Sequence, residues 1–261
     1  MAEWCETHQQ AVSKYENVNE QTTLDYFKSL TPDIILVVSF GQIFKSELLA
    51  LPKACINVHA SILPKYRGAS PIITAIKNGD KETGVTFMEM EAGLDTGGIY
   101  VIFTYSLENN KPCHVVEQEL GELAAEHLEK TLISIHNGTI PTPQDHTQAT
   151  LTKKIKKQDG RFSWDEPASQ IINKVRAFNP WPCAVFIIKG KKRDVQIKLL
   201  EAELVECSGR PGEVISATKK EWIVACKENG IRLTRVIPQG KKEMNGADYL
   251  RGSSLAMGDI L

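Results

Sequence analysis

Apolar and polar positions change period along the 261-residue chain, and the changes mark its elements. Ile34-Ile35-Leu36-Val37-Val38 is a continuous apolar run, the pattern of a parallel strand covered on both faces. Ahead of it, Ala2 to Val12 and a stretch ending at Leu24–Leu30 read as short helices. Pro32 stops the second, because proline lacks an N–H and pushes the residue before it out of the helical region. Gly41 opens a turn, Phe44 to Leu51 a short helix, and Cys55 to Ala60 a second strand, which together make a βαβ unit. Ser70-Pro71 starts a helix through Ile72, Ile73 and Ile76 that Asn78-Gly79 closes. Gly84 to Met90 and Gly98 to Tyr105 read as strands around a turn bearing Asp95. From Lys111-Pro112, apolar residues recur near helical spacing through Ile135, predicting one long amphipathic helix that ends at Asn137-Gly138.

That periodicity breaks at Ile140-Pro141-Thr142-Pro143, and the chain stays polar to Gly160. Residues 141–160 therefore read as a basic linker carrying Lys153, Lys154, Lys156 and Lys157; taken alone, four such lysines describe a solvated segment. Beyond Arg161, Asp165-Glu166-Pro167 opens a helix with Ile171, Ile172, Val175 and Phe178 on one face, and Asn179-Pro180-Trp181-Pro182 halts it. Trp181, fixed between prolines, is expected in the core. Short strands follow at about Ala184–Ile188, Val195–Val205, Gly212–Ser216, Trp222–Cys226 and Ile231–Ile237, which predicts a small OB-like β-barrel. The organisation is thus an α/β domain over 1–140, the linker, and an OB-like domain over 161–261 that opens on the Asp165-Glu166-Pro167 helix.

Composition excludes more than it proposes. A net charge of −1 gives no basic field, so any nucleic-acid surface must be local. The six cysteines form no CxxC pair or metal spacing and read as reduced thiols of a cytoplasmic protein. No long apolar run or leader pattern points to a membrane or to secretion. His114, His127 and His136, on or beside the long helix, lack ligand spacing and are expected at the surface or the core edge.

Candidate chemistry concentrates at the end of the second strand. Side chains alternate along a strand, so Asn57, His59 and Ser61 point the same way where the strand empties into a Pro/Gly-punctuated loop. In open α/β sheets ligands sit at that end. For an isolated Asn-x-His, a strand end bonding its own loop is the ordinary explanation. Here the stretch continues as Ser61-Ile62-Leu63-Pro64 and Gly68, and a second Gly-rich turn, Gly93-Leu94-Asp95-Thr96-Gly97-Gly98, follows. In that order the two motifs resemble the signatures of formyltransferases that use 10-formyltetrahydrofolate, with Ile62 in place of leucine.

The resemblance implies a Rossmann-like catalytic domain, with Asn57, His59 and Asp95 as catalytic residues and Ser61, Ile62, Leu63 and Pro64 lining the folate pocket. It implies 10-formyltetrahydrofolate as formyl donor and no metal. The family begins with a strand, helix and strand that have no counterpart here, so the domain is expected to be N-terminally shortened, with exposed strand edges and an altered grip on tRNA. Arg176-Ala177-Phe178-Asn179-Pro180-Trp181-Pro182 and Pro238-Gln239-Gly240-Lys241-Lys242-Glu243-Met244 resemble C-terminal signatures of the branch acting on methionyl-tRNA. On that basis the expected partner of a monomeric chain is initiator Met-tRNA, with no role for DNA or membrane. Lys153, Lys154, Lys156, Lys157, Lys191, Lys192, Arg193, Lys241 and Lys242 are candidate phosphate contacts. Arg67 is placed to meet an anion or a neighbouring acid. Sugar-nucleotide formylation is the competing enzyme reading. Purine-pathway formyltransferases and formylfolate hydrolases lack such a C-terminal domain, and an inactive tRNA-binding remnant is the non-enzyme alternative.

Overall fold

A computed structural model of the chain describes residues 2–108, 110–190 and 193–261. In chain order the first half runs α1 (Ala2–Thr7), α2 (Gln21–Leu30), β1 (Ile34–Val38), α3 (Ser46–Leu49), β2 (Ala54–His59), β3 (Arg67–Gly68), α4 (Pro71–Asn78), β4 (Glu82–Glu89), β5 (Ile99–Ser106) and α5 (Cys113–His136). There follow β6 (Leu151–Thr152), α6 (Ala168–Phe178), β7 (Ala184–Ile188), β8 (Val195–Val205), β9 (Val214–Ala217), β10 (Trp222–Ala225), β11 (Gly230–Pro238), β12 (Met244–Asn245) and α7 (Gly246–Leu250). Two compact units divide the chain: residues 1–59, 86–101 and 127–144 form one, and 60–85, 102–126 and 145–261 the other.

In the first unit β1 and β2 pair in parallel, Ile34 opposite Ala54 and Val37 opposite Asn57. β2 then pairs antiparallel with β4, placing His59 opposite Thr86. The order β1-β2-β4-β5 makes β2 an inner strand, so the residues it carries are held on both sides. Val18, Leu24, Val37, Phe44, Leu48 and Cys55 form the core beneath it. β1 is less covered than its apolar run predicts, while its open edge is of the kind expected. It is an end strand, three of its five residues are only half-buried and Val38 is exposed, because among the described residues it has a strand neighbour on one side only. Thr31 ends α2 in the left-handed conformation directly before Pro32, which is how the proline stops that helix.

In the second unit the strands run in the order β7-β8-β11-β10-β9, with β12 beside β11. The strand positions follow the sequence reading closely, but the sheet stays open, with β7 and β9 at opposite ends of the path, and does not close into the expected barrel. Irregular registers in β8–β11 and β9–β10 bend it instead. Its covered face carries Phe186, Ile197, Leu199, Trp222, Ile231 and Leu233, and α6 packs Ile171 and Val175 onto them. Trp181 is a correction: it is 56% exposed, because the core positions beside it go to Phe178, Pro182 and Cys183.

The segment 141–160 is bonded along its length. Thr142 exchanges two backbone hydrogen bonds of 2.8 Å with Ile99, and Leu151–Thr152 pairs in parallel with Arg67–Gly68. These are backbone bonds, which the polar composition neither requires nor reveals. A flexible tether would have the same composition, which is why sequence alone does not separate the two.

Within the second unit, Arg176 on α6 fixes the residues ahead of α5. Its guanidinium donates to the carbonyls of Leu107 (3.2 Å) and Lys111 (3.3 Å) and to Asn173 Oδ1 (3.3 Å). Partial burial pulls its pKa below the ordinary guanidinium value, and three acceptors compensate the half-buried charge. Arg176→Met, which keeps the length of the stem, is expected to cost about 1.5–3 kcal/mol, the worth of a charged hydrogen-bond set. A fall in the urea midpoint at unchanged slope is the readout, and a shift smaller than about 0.5 kcal/mol would contradict the role.

Candidate active site

β2 delivers Asn57 and His59 two residues apart on one face, roughly 6.6 Å along the strand. Its inner position fixes both: Asn57 lies between Val37 and Met88, and His59 against Thr86. His59 is buried and Asn57 half-buried. Opposite them the turn after β4 holds Asp95 with φ 51°, a left-handed conformation that aspartate tolerates better than branched residues. Asp95 Oδ2 lies 3.7 Å from His59 Nδ1, and the two side chains are only 13% and 7% exposed. At that distance the contact is longer than a hydrogen bond, and a small approach would bring it into range.

The turn is built to keep Asp95 there. A Cβ on Gly97 would stand 2.0 Å from the Glu89 carbonyl, so glycine is needed for the loop to fold back on β4. Glu89 N–H also binds the Gly98 carbonyl at 2.8 Å. On the far side Gln144, itself buried, donates to the carbonyls of Asp95 (2.9 Å) and Gly97 (2.7 Å). Sequence reasoning passed over Gln144 because it lies in a stretch that reads as linker; its position after Pro141-Thr142-Pro143 was the available signal.

Cys55, on the same strand, is buried, and burial pushes its thiol up to about 11. It stays protonated at neutral pH and offers no thiolate nucleophile. Among the described residues no group of three or more His, Cys, Asp or Glu could hold a metal ion. All six cysteines are free thiols.

The residues after β2 belong to the second unit and are described within it. Ser61 is fully buried and donates its hydroxyl to the Lys65 carbonyl (2.6 Å), so its one donor shapes the turn. Ile62, Leu63 and Pro64 line a cavity of about 380 Å³ together with Tyr66, Asp80 and Thr83. Tyr66 donates to Asp80 Oδ2 (2.6 Å), and burial first, then that bond, pushes its phenol above the ordinary value. Arg67 is buried and donates to His146 Nδ1 (3.0 Å), while its N–H binds the Thr150 carbonyl (2.9 Å). It is therefore a buttress for the loop, not an exposed anion contact, and His146 is the partner that the sequence did not single out.

Lys153, Lys154, Lys156, Lys157, Arg193, Lys241 and Lys242 are all exposed in the second unit; Lys191 and Lys192 lie outside the described residues. Lys241 Nζ stands 6.0 Å from the centre of the Tyr249 ring. His114 and His136 are exposed and His127 half-buried, in agreement with their reading as surface or core-edge residues.

A strand-end Asn-x-His facing a carboxylate on a Gly-rich turn, ahead of a small β domain, defines a class. Family models described as "Formyl transferase" and "Formyl transferase, C-terminal domain" match residues 4–132 and 154–254, and the chain belongs to the formyl transferase family. Within it, the chain is 39% identical over 258 residues to the methionyl-tRNA formyltransferase of Magnetococcus marinus, covering 98% of this chain and 81% of that one. Among solved structures, the methionyl-tRNA formyltransferase from Clostridium thermocellum shares the fold at a TM-score of 0.56 and 19% identity, over 78% of this chain and 86% of that one. HypX from Aquifex aeolicus, solved in complex with tetrahydrofolic acid, shares it at 0.63 and 20% over 87% of this chain. This chain spans only 40% of HypX.

Proposed function

We propose that this formyl-transfer enzyme moves a formyl group from 10-formyltetrahydrofolate to the α-amine of initiator methionyl-tRNA, the modification that prepares it for translation initiation. The observation that carries the reading is the pairing of buried His59 with half-buried Asp95, supplied by two motifs far apart in sequence and brought within 3.7 Å.

The chemistry asks for three things. The neutral amine forms a bond to the formyl carbon, the formyl oxygen gains negative charge, and the amine proton must leave before the carbon–N10 bond breaks. Asn57 contributes an amide N–H that stabilises the oxyanion without titrating. His59 takes the proton from the attacking amine and returns it to the departing N10, ending as it began. Asp95 stabilises the imidazolium formed between those transfers and holds the ring's orientation. The net exchange is one N–H for one N–formyl bond on each partner. Ile62, Leu63 and Pro64 supply apolar walls for the folate, with Ser61 holding the turn that presents them.

The tRNA backbone is assigned to the exposed lysines. Replacing Lys153, Lys154, Lys156 and Lys157 with glutamine is expected to weaken tRNA binding at least tenfold at low salt. It should also flatten the dependence of log K on log salt by roughly 0.7–0.9 for each phosphate that no longer meets a lysine. An unchanged slope would return these residues to the role of a solvated segment. The reading as a whole is tested by offering the chain methionyl-tRNA and amino-sugar nucleotides in parallel. Formylation of the sugar nucleotide alone would replace the tRNA assignment and leave the formyl chemistry standing.

A further inference from the structure

Gln144 is a buried amide that grips the candidate carboxylate's turn from outside it. Its Nε2 donates to two carbonyls of that turn, at 2.9 Å to Asp95 and 2.7 Å to Gly97. Both of an amide nitrogen's donors are thus accounted for on the turn. Gln144 is 6% exposed, so water does not compete for the two carbonyls. Its own backbone is fixed, because Thr142, two residues earlier, exchanges both backbone bonds with Ile99 at the other end of the turn. Asp95 itself sits at φ 51°, a conformation with little intrinsic preference behind it. Gln144 thus adds a clamp from outside the turn to the Glu89–Gly98 bond at its base.

We infer that Gln144 is a positioning residue for formyl transfer: by binding the Asp95 and Gly97 carbonyls it sets the aim of the Asp95 carboxylate at His59. The inference rests on the assignment of Asp95 to the reaction. It differs from a packing role in a testable way, because the amide acts through its two donors and not through its volume. A displacement of about 1 Å in such a pair costs on the order of a hundredfold in rate.

The experiment compares the full chain with Gln144→Met, Asp95→Ala and the double variant under single-turnover conditions with saturating methionyl-tRNA and 10-formyltetrahydrofolate. Gln144→Met keeps length and apolar bulk and removes both donors. It is expected to lower the transfer rate about 10–100-fold, while KM for each substrate, taken from separate steady-state titrations, stays within about threefold. In the Asp95→Ala background the same substitution should have no further effect, since residues acting as a unit are non-additive. A parental rate in Gln144→Met, or a full additional loss in the Asp95→Ala background, overturns the inference. If Gln144→Met does not fold, Gln144→Leu, an apolar side chain that donates nothing, is read in the same cycle; failure of both to fold makes the residue a folding element and likewise overturns it. If Asp95→Ala keeps the parental rate, the site assignment fails together with the inference. Loss in Asp95→Ala with none in Gln144→Met removes the inference alone.

Discussion

Replacing His59 with alanine is expected to lower formyl transfer by about 10³–10⁴-fold, with tRNA affinity changed by less than about threefold. The size follows from removing the proton carrier, since positioned acid–base groups contribute typically 10²–10⁴-fold. Asp95 is then left with no imidazolium to stabilise, so its contribution goes with the ring. Asp95→Ala is expected to fall in the same range, and Asn57→Ala by about 10²–10³-fold, the usual worth of one oxyanion donor. Affinity should be spared because His59 is buried on an inner strand, whereas the lysines assigned to phosphate are exposed. Turnover and filter-binding measurements on the same preparations separate the two quantities. An equal loss of binding and rate would mean that His59 holds the fold and not the chemistry.

The second large effect is on stability. Trp222 is fully buried in the open sheet, stacked on Tyr249 at 5.3 Å and edge-on to Phe186 at 6.0 Å. Trp222→Ala is expected to cost about 3–5 kcal/mol, the range for deleting a large core aromatic. Among the described residues its buried indole N–H has no hydrogen-bond partner, so part of the side chain's presence is unfavourable. Trp222→Phe, which removes that donor and keeps most of the ring, is therefore expected to cost less than half as much. Urea unfolding followed by circular dichroism measures both. Two units need not melt together, so the comparison is made on the transition that Trp222→Ala moves. Equal losses in the two variants would contradict the view that packing, and not the N–H, holds this position.

Much of the fold was legible because its signals are local. The β1 run and the helix from Pro71 to Asn78 are where apolar period and punctuation placed them, as are β7 and β8. The catalytic candidates were legible through the resemblance of their two motifs to formyltransferase signatures; strand alternation put Asn57 and His59 on one face but by itself left a plain strand end as the ordinary explanation. What escaped is what depends on contacts distant in sequence. Openness of the second sheet depends on whether β7 meets β9, which strand patterns do not state. Exposure of Trp181 depends on which neighbours fill the core, and the half-covered state of β1 on the absence of a second neighbour among the described strands. Gln144 and His146 escaped for the same reason: a polar residue in a polar stretch shows its use only when its partner is known.

The most direct test of the central claim is transfer of labelled formyl from 10-formyltetrahydrofolate to initiator methionyl-tRNA by this 261-residue chain, beside its Asp95→Ala variant. The account predicts enzyme-dependent accumulation of formylmethionyl-tRNA that falls by about 10³-fold in the variant. Labelled product at the same rate from both chains, or none above background from the parent while it still binds the tRNA, would contradict it.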